Sequence, residues 1–401
     1  MKLGGAFLLG VGVTVAALAF GSRPLGVVGV GLLLAAGAAR IWAGLVRGPV
    51  VVAYEPGPEA ATEGDRVRLG IAAERASRVP VGSAVVHGRL GRLGPFECRL
   101  EGHGRRAAGE LYLGRIPRGH FPITDTHLVL GDHLGLETVS LPVDLPGTAI
   151  VVYPRLVALE AVFSDAGRLG GSGRRLLLRR PAGFDFHSVR EYTQGESLRR
   201  VHWPTTARRG QLMVKELEDA PRDTVAVLLD ADPAGAAGEP PESSFDEAVR
   251  ATGSVLRAYA ARGRKATLVT TGRRATVVQI TSLEGDFRAA LSVLAAAEPD
   301  ASQGLARWIR QEQAPLGSAG ELVVVTANLE PAAIEALLAV ATRRLVSVVW
   351  IDAPSYAGRP TRAATGPLRL SAAGIPVAVV RRGEDLRRAL DLPRQEALSR
   401  A

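Results

Sequence analysis

Two aspartates, Asp230 and Asp232, follow an apolar run in the segment LLDAD. A carboxylate placed directly after a buried strand can attack phosphorus, and a second carboxylate two residues later can act as acid and base. Carboxylate oxygens are also preferred ligands of Mg²⁺. A later apolar run ends in Thr326, whose hydroxyl is a suitable third group. Phosphoryl transfer and divalent-metal binding are therefore the two kinds of chemistry that these residues could perform.

The first possibility resembles the site of haloacid-dehalogenase-like phosphohydrolases, with Asp230 as nucleophile and Asp232 as acid and base. That chemistry also needs a lysine that neutralises the phosphoryl group and an acidic pair after a last strand that holds Mg²⁺. Only Asp352 ends a suitable strand. No Ser/His/Asp set, GxxxxGK[ST] phosphate loop or HExxH motif is recognisable either. We therefore expect a protein that is not an enzyme, with a Mg²⁺-dependent phosphohydrolase as the alternative.

The elements that would position the aspartates form an α/β pattern from residue 224 onward. Its strands are apolar throughout rather than alternating, which is typical of strands buried on both faces. These strand candidates are Thr224–Asp230, Lys265–Thr271, Glu321–Ala327, Arg344–Asp352 and Ile375–Val380. The pattern predicts a mostly parallel sheet covered by helices on both faces.

In such a sheet, ligands bind beyond the carboxyl ends of the strands at the point where the strand order reverses. Asp230, Asp232 and the turn at Asn328 would converge there. A helix is expected over residues 245–262, with Ser244 and Glu247 as its capping box.

Residues 50–152 show short apolar alternations that glycine and proline interrupt about every ten residues, a pattern typical of an antiparallel β-sandwich. His120, His127 and His133 lie in this part, but they lack the short spacing of a metal site. The single cysteine, Cys98, excludes an internal disulfide and fits a reducing compartment.

Two apolar runs, Leu3–Phe20 and Leu25–Val46, are each long enough to cross a bilayer as a helix. The connection between them is short, which favours two membrane spans in a hairpin; a cleaved signal peptide is the alternative for the first run. Lys2, Arg40 and Arg47 outnumber the one basic residue of the connection. We therefore expect the N-terminus and the soluble domains on the cytoplasmic side.

The chain is basic, with a formal net charge of +9 and a sequence pI near 10.3. The segment 174–215 carries ten Lys and Arg against three Asp and Glu, so it contributes +7. Nucleic acid, anionic lipid and an acidic protein face are all possible partners. Because a membrane-tethered protein already faces an anionic leaflet, we expect lipid or protein rather than nucleic acid.

The segment VREYTQGESLRRVHWPTTARRGQLMVKELED, residues 189–219, closely resembles the signature of the domain-of-unknown-function-58 (DUF58) family, R-E-Y-x-x-G-D-x-x-R-x-I-x-W-x-x-[AST]-A-R. The matching residues are Arg190, Glu191, Tyr192, Gly195, Arg199, Trp203, Ala207 and Arg208, while Glu196 replaces the usual aspartate. The elements RGHF, DHLGL and VYPR, at residues 118–121, 132–136 and 152–155, also match. The chain thus looks like a bacterial member of this family.

The resemblance implies a membrane hairpin, a β-rich domain, the motif and a von Willebrand A-like domain. It also implies a role as a membrane-bound adaptor for a MoxR-type AAA+ ATPase, with a client protein that the sequence does not name. The expected layout is a transmembrane hairpin at 1–48, a β-sandwich at 49–155, a basic clasp at 156–221, the von Willebrand A-like domain at 222–392 and a tail at 393–401.

Domains of the von Willebrand A type usually hold Mg²⁺ through a D-x-S-x-S loop. In this sequence Asp230 keeps the first position, Asp232 takes a serine position, and Asn328 stands where an aspartate is expected. Ser243 or Ser244 could add a hydroxyl, which would leave a weak, degenerate Mg²⁺ site. We expect the motif to fasten the clasp through arginine–carboxylate pairs, with Tyr192 and Trp203 as apolar anchors, and also to display a basic docking face.

Overall fold

The computed structural model describes residues 2–55, 61–75, 79, 81–102, 105–143, 149–160, 186–191, 203–217, 224–273, 275–282, 285–311, 316, 319–360 and 365–390. The chain divides into two compact units, Met1–Tyr153 and Pro154–Ala401. The first unit contains a helical hairpin and a β-rich part. The second contains the family motif and the α/β sheet.

The hairpin consists of helices α1 (Lys2–Phe20) and α2 (Arg23–Leu45), both long and apolar enough to cross a membrane. Gly21 makes the turn between them with a φ of 66°, which favours glycine. The helices are in close contact at Gly29, where a Cβ atom would lie 2.4 Å from Thr14 Oγ1 and 2.8 Å from its backbone nitrogen. A small residue is therefore required at this crossing.

Nine strands form the β-rich part in the described residues: β1 (Val50–Glu55), β2 (Ala61–Thr62), β3 (Val67–Arg75), β4 (Ser83–Leu90), β5 (Pro95–Leu100), β6 (Arg106–Leu113), β7 (Gly119–Gly131), β8 (Thr138–Pro142) and β9 (Ala149–Tyr153). They form a three-stranded sheet, β1-β3-β6, and a second sheet, β2-β9-β7-β4-β5, with β8 also on β7. Pairing is antiparallel except between β2 and β9. Inward residues of both sheets, such as Leu69 and Leu128, share one apolar core.

The second unit contains a two-stranded antiparallel ribbon and a short helix that carry the motif: β10 (Phe186–Glu191), α3 (Trp203–Arg209) and β11 (Met213–Leu217). Before this ribbon, Leu156, Val157 and Leu159 pack against the core of the α/β sheet. These residues, at the start of the expected clasp, are therefore part of the α/β core.

The α/β sheet has six strands in the order β14-β13-β12-β15-β16-β17. They are β12 (Thr224–Leu229), β13 (Lys265–Thr270), β14 (Thr276–Ile280), β15 (Glu321–Thr326), β16 (Leu345–Ile351) and β17 (Val377–Val380). All neighbours are parallel except β13 and β14, so the sheet is mixed. The sequence pattern did not reveal β14, because this edge strand alternates exposed and buried residues instead of being apolar throughout.

Both faces of this sheet are buried. In β12, Val225, Val227 and Leu229 belong to one apolar cluster, and Ala226 and Leu228 belong to another on the opposite face. The helices that cover the faces are α4 (Ser244–Ala261), α5 (Asp286–Ala296), α6 (Leu305–Gln311), α7 (Pro331–Ala341), α8 (Ala353–Tyr356), α9 (Thr365–Ala372) and α10 (Leu386–Leu390). The predicted α/β layering is confirmed at this level.

The capping box predicted for α4 is wrong by one residue. Ser243, not Ser244, is the N-cap, and its hydroxyl accepts the Asp246 N–H at 3.1 Å. Glu247 instead pairs with Arg250 at 2.6 Å, inside the unit. Because two serines and two acidic residues are adjacent in sequence, the capping pair could be either Ser243 with Asp246 or Ser244 with Glu247. The first is observed, since Glu247 pairs with the buried Arg250.

Candidate functional site

Strands β12 and β15 lie side by side at the centre of the sheet, and the chain leaves them toward opposite edges. The carboxyl ends of such a strand pair form the crevice in which open α/β sheets bind ligands. Asp230 directly follows β12, and Thr326 is the last residue of β15. The structure thus joins two of the residues that the sequence singles out.

Asp230 is 4% exposed, and its carboxylate is surrounded by hydrogen-bond donors. The Thr326 hydroxyl donates to Oδ2 at 2.7 Å, and the Thr271 hydroxyl donates to Oδ1 at 3.3 Å. The backbone N–H of Asp232 also donates to Oδ1, at 3.2 Å. Both carboxylate oxygens are therefore already engaged by groups of the protein itself.

The two threonines are held in turn by backbone donors. The Thr326 hydroxyl accepts the N–H of Asn328 at 3.0 Å, and the Thr271 hydroxyl accepts the N–H of Ala231 at 2.8 Å. The Thr326 hydroxyl also lies 3.1 Å from the Asn328 carbonyl oxygen, a second acceptor for its proton. The described hydroxyl and N–H groups around the carboxylate thus form a closed hydrogen-bond network.

The pKa of Asp230 is raised from 3.8 to about 6, mainly by burial and to a smaller extent by the negative charge of Asp232. The hydrogen bonds from Thr326, from the Asp232 backbone and from Thr271 act in the opposite direction. Desolvation is the largest of these effects, since the carboxylate has left water. The group accordingly titrates close to neutral pH.

Asp232 caps the 3₁₀ turn Pro233–Gly235, because its Oδ1 accepts the N–H of Ala234 at 2.9 Å. Its Oδ2 accepts the side-chain amide of Asn328 at 3.0 Å. The same amide nitrogen donates to Glu330 Oε1 at 3.2 Å. Asn328 thus presents its nitrogen, a donor, to the two carboxylates.

Ser243 and Ser244 have structural roles away from the carboxylates. Ser243 caps α4, and its hydroxyl donates to Asp246 Oδ2 at 2.6 Å. The Ser244 hydroxyl donates to the Gly235 carbonyl and accepts the N–H of Ala237, both at 2.8 Å. The Ser244 hydroxyl thus fastens the 3₁₀ turn to the helix.

These residues do not fit a Mg²⁺ site. The ion needs a near-octahedral set of oxygen ligands at about 2.0–2.1 Å. Here Asp230 is 4% exposed and its oxygens accept hydrogen bonds, and the Asn328 side chain donates an N–H to Asp232. Among the described residues, no group of three or more His, Cys, Asp and Glu could hold a metal ion, and this covers the three histidines of the β-rich part.

Sequence reasoning missed Thr271 as a member of the network. Its signal was present, since it follows β13, the strand next to β12, and the carboxyl ends of parallel neighbours meet at one edge. It also missed Glu330, whose carboxylate shares the Asn328 amide with Asp232. That contact depends on the loop after β15, for which the sequence has no regular pattern.

The motif residues lie on the ribbon and on α3. Arg190 pairs in register with Val214, and Glu191 with Met213. On α3, Ala207 and Arg208 are exposed, and Trp203 is 64% exposed. Tyr192, Gly195, Glu196 and Arg199 lie outside the described residues.

The exposure of Trp203 is incompatible with a role as a buried apolar anchor. Met213, by contrast, is buried: it is 2% exposed, and its N–H donates to the Thr206 hydroxyl at 3.0 Å. The turn between α3 and β11 passes through Gly210, which has a φ of 70°. A large apolar ring and the cations of Arg208 and Arg209 are therefore presented to solvent.

A family model described as "Protein of unknown function DUF58" matches residues 188–375. This part of the chain belongs to the DUF58 family. It covers the motif and most of the α/β sheet, including the crevice at Asp230. A relative described as "Uncharacterized protein YeaD" from Bacillus subtilis (strain 168) is 28% identical over 218 residues, which are 54% of this chain. The chain spans about half the length of that relative, 52%.

Similarities to solved structures are weak. A β-glucosidase from Listeria innocua matches 24% of this chain and 16% of its own, at 10% identity and a TM-score of 0.15. Cwp6 from Clostridium difficile matches 84% of this chain and 38% of its own, at 10% identity and a TM-score of 0.20. At these scores neither structure bears on the fold or the role of this chain.

Proposed function

We propose that this DUF58 protein is a non-enzymatic scaffold, anchored in the bacterial cytoplasmic membrane, that docks a MoxR-type AAA+ ATPase for the assembly or chaperone-like activation of a client protein. Its two apolar helices would be the anchor, with the N-terminus and the soluble parts in the cytoplasm. The β-rich part would be an antiparallel sandwich. The α/β sheet would be a von Willebrand A-like domain with a degraded metal site.

The closed network around Asp230 is the main support for a role without catalysis. A nucleophile or a metal ligand needs a lone pair directed at the substrate or the ion. Asp230 is 4% exposed, and both of its oxygens accept hydrogen bonds from within the fold at 2.7 to 3.3 Å, so little of the carboxylate is open to a substrate or an ion. Such a site is suited to holding the strand ends in one geometry.

The charge distribution weighs against the phosphohydrolase alternative. The chain has three lysines, Lys2, Lys215 and Lys265. Lys265 begins β13 and so lies at the amino end of the sheet, opposite the crevice. Asp352 is fully buried after β16 and lies 3.6 Å from Arg381, so it is already paired. The described part of the crevice therefore lacks the lysine and the acidic pair that phosphoryl transfer requires.

The exposed surface of α3 supports a docking role. Trp203, Arg208 and Arg209 combine a large apolar ring with two cations, a composition typical of the energetic centre of protein interfaces. An acidic protein face is a matching partner. Stacking on nucleic-acid bases would use the same groups, and for that reason nucleic acid remains the second candidate.

Co-purification tests the proposal. The full chain, affinity-tagged at its C-terminus, is extracted from native membranes in mild detergent, and the bound proteins are identified by mass spectrometry. We expect an AAA+ ATPase to be enriched by the wild type and by Arg307→Gln, which removes an exposed cation elsewhere. It should be lost from the Trp203→Ala, Arg208→Gln double variant. Absence of any AAA+ ATPase from the wild-type sample, or DNA binding with a steep salt dependence, would contradict the proposal.

A further inference from the structure

The turn between β7 and β8, residues 132–137, contains the DHLGL element noted in the sequence, for which the proposed scaffold role has no use so far. Asp132 is 8% exposed, and its carboxylate accepts the N–H of Leu134 at 3.1 Å and that of Glu137 at 2.9 Å. The Asp132 N–H donates to the Glu137 carbonyl at 3.2 Å, and Gly135 turns the chain with a φ of 66°. These contacts hold the turn in one conformation.

Leu134 lies at the tip of this turn, and its side chain is 63% exposed although the backbone around it is fixed. A single exposed leucine is common on protein surfaces and has no meaning by itself. Leu93, in the 3₁₀ turn Gly91–Leu93 between β4 and β5, is a comparable case with 37% exposure. What distinguishes the two leucines is their position relative to the helical hairpin.

Helix α2 is joined firmly to the β-rich part. Ala43 and Val46, at the C-terminal end of the helix, are fully buried in the apolar core that the two sheets share. Trp42 packs against the same core, and β1 begins at Val50, soon after the helix ends. The hairpin and the β-rich part therefore have a fixed relative position within the first unit, and one edge of the β-rich part lies next to α2.

The turn 132–137 belongs to that edge. Arg40, five residues before the end of α2, has its Nη1 atom 3.9 Å from Oε1 of Glu137. Because Gly131 pairs with Thr138 at the ends of β7 and β8, the tip of the turn extends beyond the sheet.

Leu93 lies at the opposite edge. Strand β4 begins at Ser83, which pairs with Gly131 beside the turn 132–137, and ends at Leu90, next to the 3₁₀ turn that contains Leu93. The eight residues of β4, at roughly 3.3 Å each, separate the two edges by about 25 Å.

Arg40 marks the level at which α2 leaves the lipid in a membrane-spanning hairpin. It follows Arg23 by seventeen residues, which at 1.5 Å each cover about 26 Å, close to the ~30 Å of a hydrocarbon core. A long arginine side chain near the end of a span extends its charge to the headgroups. Glu137, in contact with this guanidinium, therefore lies at the headgroup level, and so does the turn that contains it.

We propose that the turn 132–137 rests on the lipid leaflet from which α2 emerges and inserts Leu134 between the headgroups and the acyl chains. An apolar side chain gains free energy at this depth. Arg40 and the exposed Arg47 supply cations for anionic headgroups beside it. The inference rests on the proposed membrane anchor and deepens it, because the turn would hold the β-rich part in a fixed orientation on the membrane surface.

Photolabelling from the lipid tests this proposal. The full chain is reconstituted into vesicles of phosphatidylcholine and phosphatidylglycerol, in which part of the phosphatidylcholine carries a diazirine in its acyl chain. After illumination, lipid adducts are located by mass spectrometry. We expect adducts in the turn 132–137 and at Leu34, which is 69% exposed near the middle of α2, and none at Leu93.

Two variants make the test specific to the leucine. Leu134→Asp should remove the adducts from the turn, because a carboxylate stays in water. Leu93→Asp, the matched control at the opposite edge, should leave the labelling pattern unchanged. Both side chains are exposed, so both variants should keep the fold, and circular dichroism checks this.

Adducts at Leu34 without any in the turn would overturn the proposal, whether the turn then lies in water or against a second copy of the chain. Equal labelling of the turn in the wild type and in Leu134→Asp would also overturn it, because the leucine would not be the group that enters the lipid. Absence of adducts at Leu34 would contradict the membrane anchor itself. Labelling of the turn by lipid, without co-purification of an AAA+ ATPase, would contradict only the scaffold role.

Discussion

Replacing Asp230 with asparagine should stabilise the α/β unit at neutral pH. The pKa of this carboxyl rises from 3.8 to about 6 on folding, because the group is buried. The folded state thus holds the proton more tightly than the unfolded state. The contribution of Asp230 to the free energy of unfolding is therefore most favourable below about pH 3.8. It falls as the pH rises toward 6 and does not change further at higher pH.

The magnitude follows from the two pKa values. The difference is about 6 − 3.8 = 2.2, which at 1.36 kcal/mol for each pKa unit corresponds to about 3 kcal/mol. Asparagine resembles the protonated carboxyl but turns an N–H toward one threonine hydroxyl, which must then accept instead of donate. Allowing about 1 kcal/mol for this rearrangement, we expect Asp230→Asn to gain about 1–3 kcal/mol at pH 7.5 and close to nothing at pH 4.

The assay is urea unfolding of the full chain in micelles, followed by tryptophan emission. Trp308 and Trp350 are 1% and 8% exposed in the α/β unit, so their emission reports its unfolding. The midpoint of Asp230→Asn should lie above that of the wild type at pH 7.5, and the two should meet at pH 4. A variant that is less stable than the wild type at pH 7.5 would refute the reasoning, because the ionised carboxylate would then be stabilising the fold.

Three further substitutions test other parts of the structure. Thr326→Val removes the shortest hydrogen bond to the buried carboxylate, and urea unfolding should show a loss of about 1–3 kcal/mol at pH 7.5 that shrinks in acid; an equal loss at pH 4 would count against an ionised acceptor. Arg250→Met removes the guanidinium that lies 2.6 Å from the buried Glu247, which should lower the free energy of unfolding by about 3–5 kcal/mol. Adding Glu247→Gln should restore part of this stability. If it restores none, the arginine acts through packing alone. In the hairpin, Gly29→Ala places a methyl group against the backbone of the facing helix, whereas the methyl group of Gly31→Ala meets nothing within 4 Å. Only Gly29→Ala should therefore weaken cross-linking between cysteines introduced into the two helices. Equal effects of the two substitutions would contradict the described helix crossing.

Hydrophobic patterning was enough to predict the large elements of this fold. The continuous apolar character of the strands predicted that both faces of the sheet are buried. Alternate residues of β12 indeed lie in two separate apolar clusters. The two N-terminal runs likewise appear as long apolar helices. The antiparallel edge strand Thr276–Ile280 escaped notice because an exposed edge has no such continuous signal.

The sequence was enough to predict which residues meet at the candidate site, but not which hydrogen bonds they form there. The rule that ligands bind at the carboxyl ends of neighbouring strands brought Asp230 and Thr326 together correctly. Their spacing could not show that the threonine would donate to the carboxylate, or that Asn328 would turn its nitrogen toward Asp232. Those outcomes depend on loop conformations, which set where each donor points.

Binding of Mn²⁺, used as a spectroscopic substitute for Mg²⁺, tests the central claim most directly. The purified full chain is titrated with Mn²⁺ and followed by electron paramagnetic resonance, with Asp230→Asn as the matched control, and the same samples are offered a generic phosphomonoester. Because Asp230 is 4% exposed and both of its oxygens accept hydrogen bonds within the fold, we expect no stoichiometric Mn²⁺ that depends on Asp230 and no product. One tightly bound Mn²⁺ per wild-type chain, lost together with phosphate release in Asp230→Asn, would contradict it.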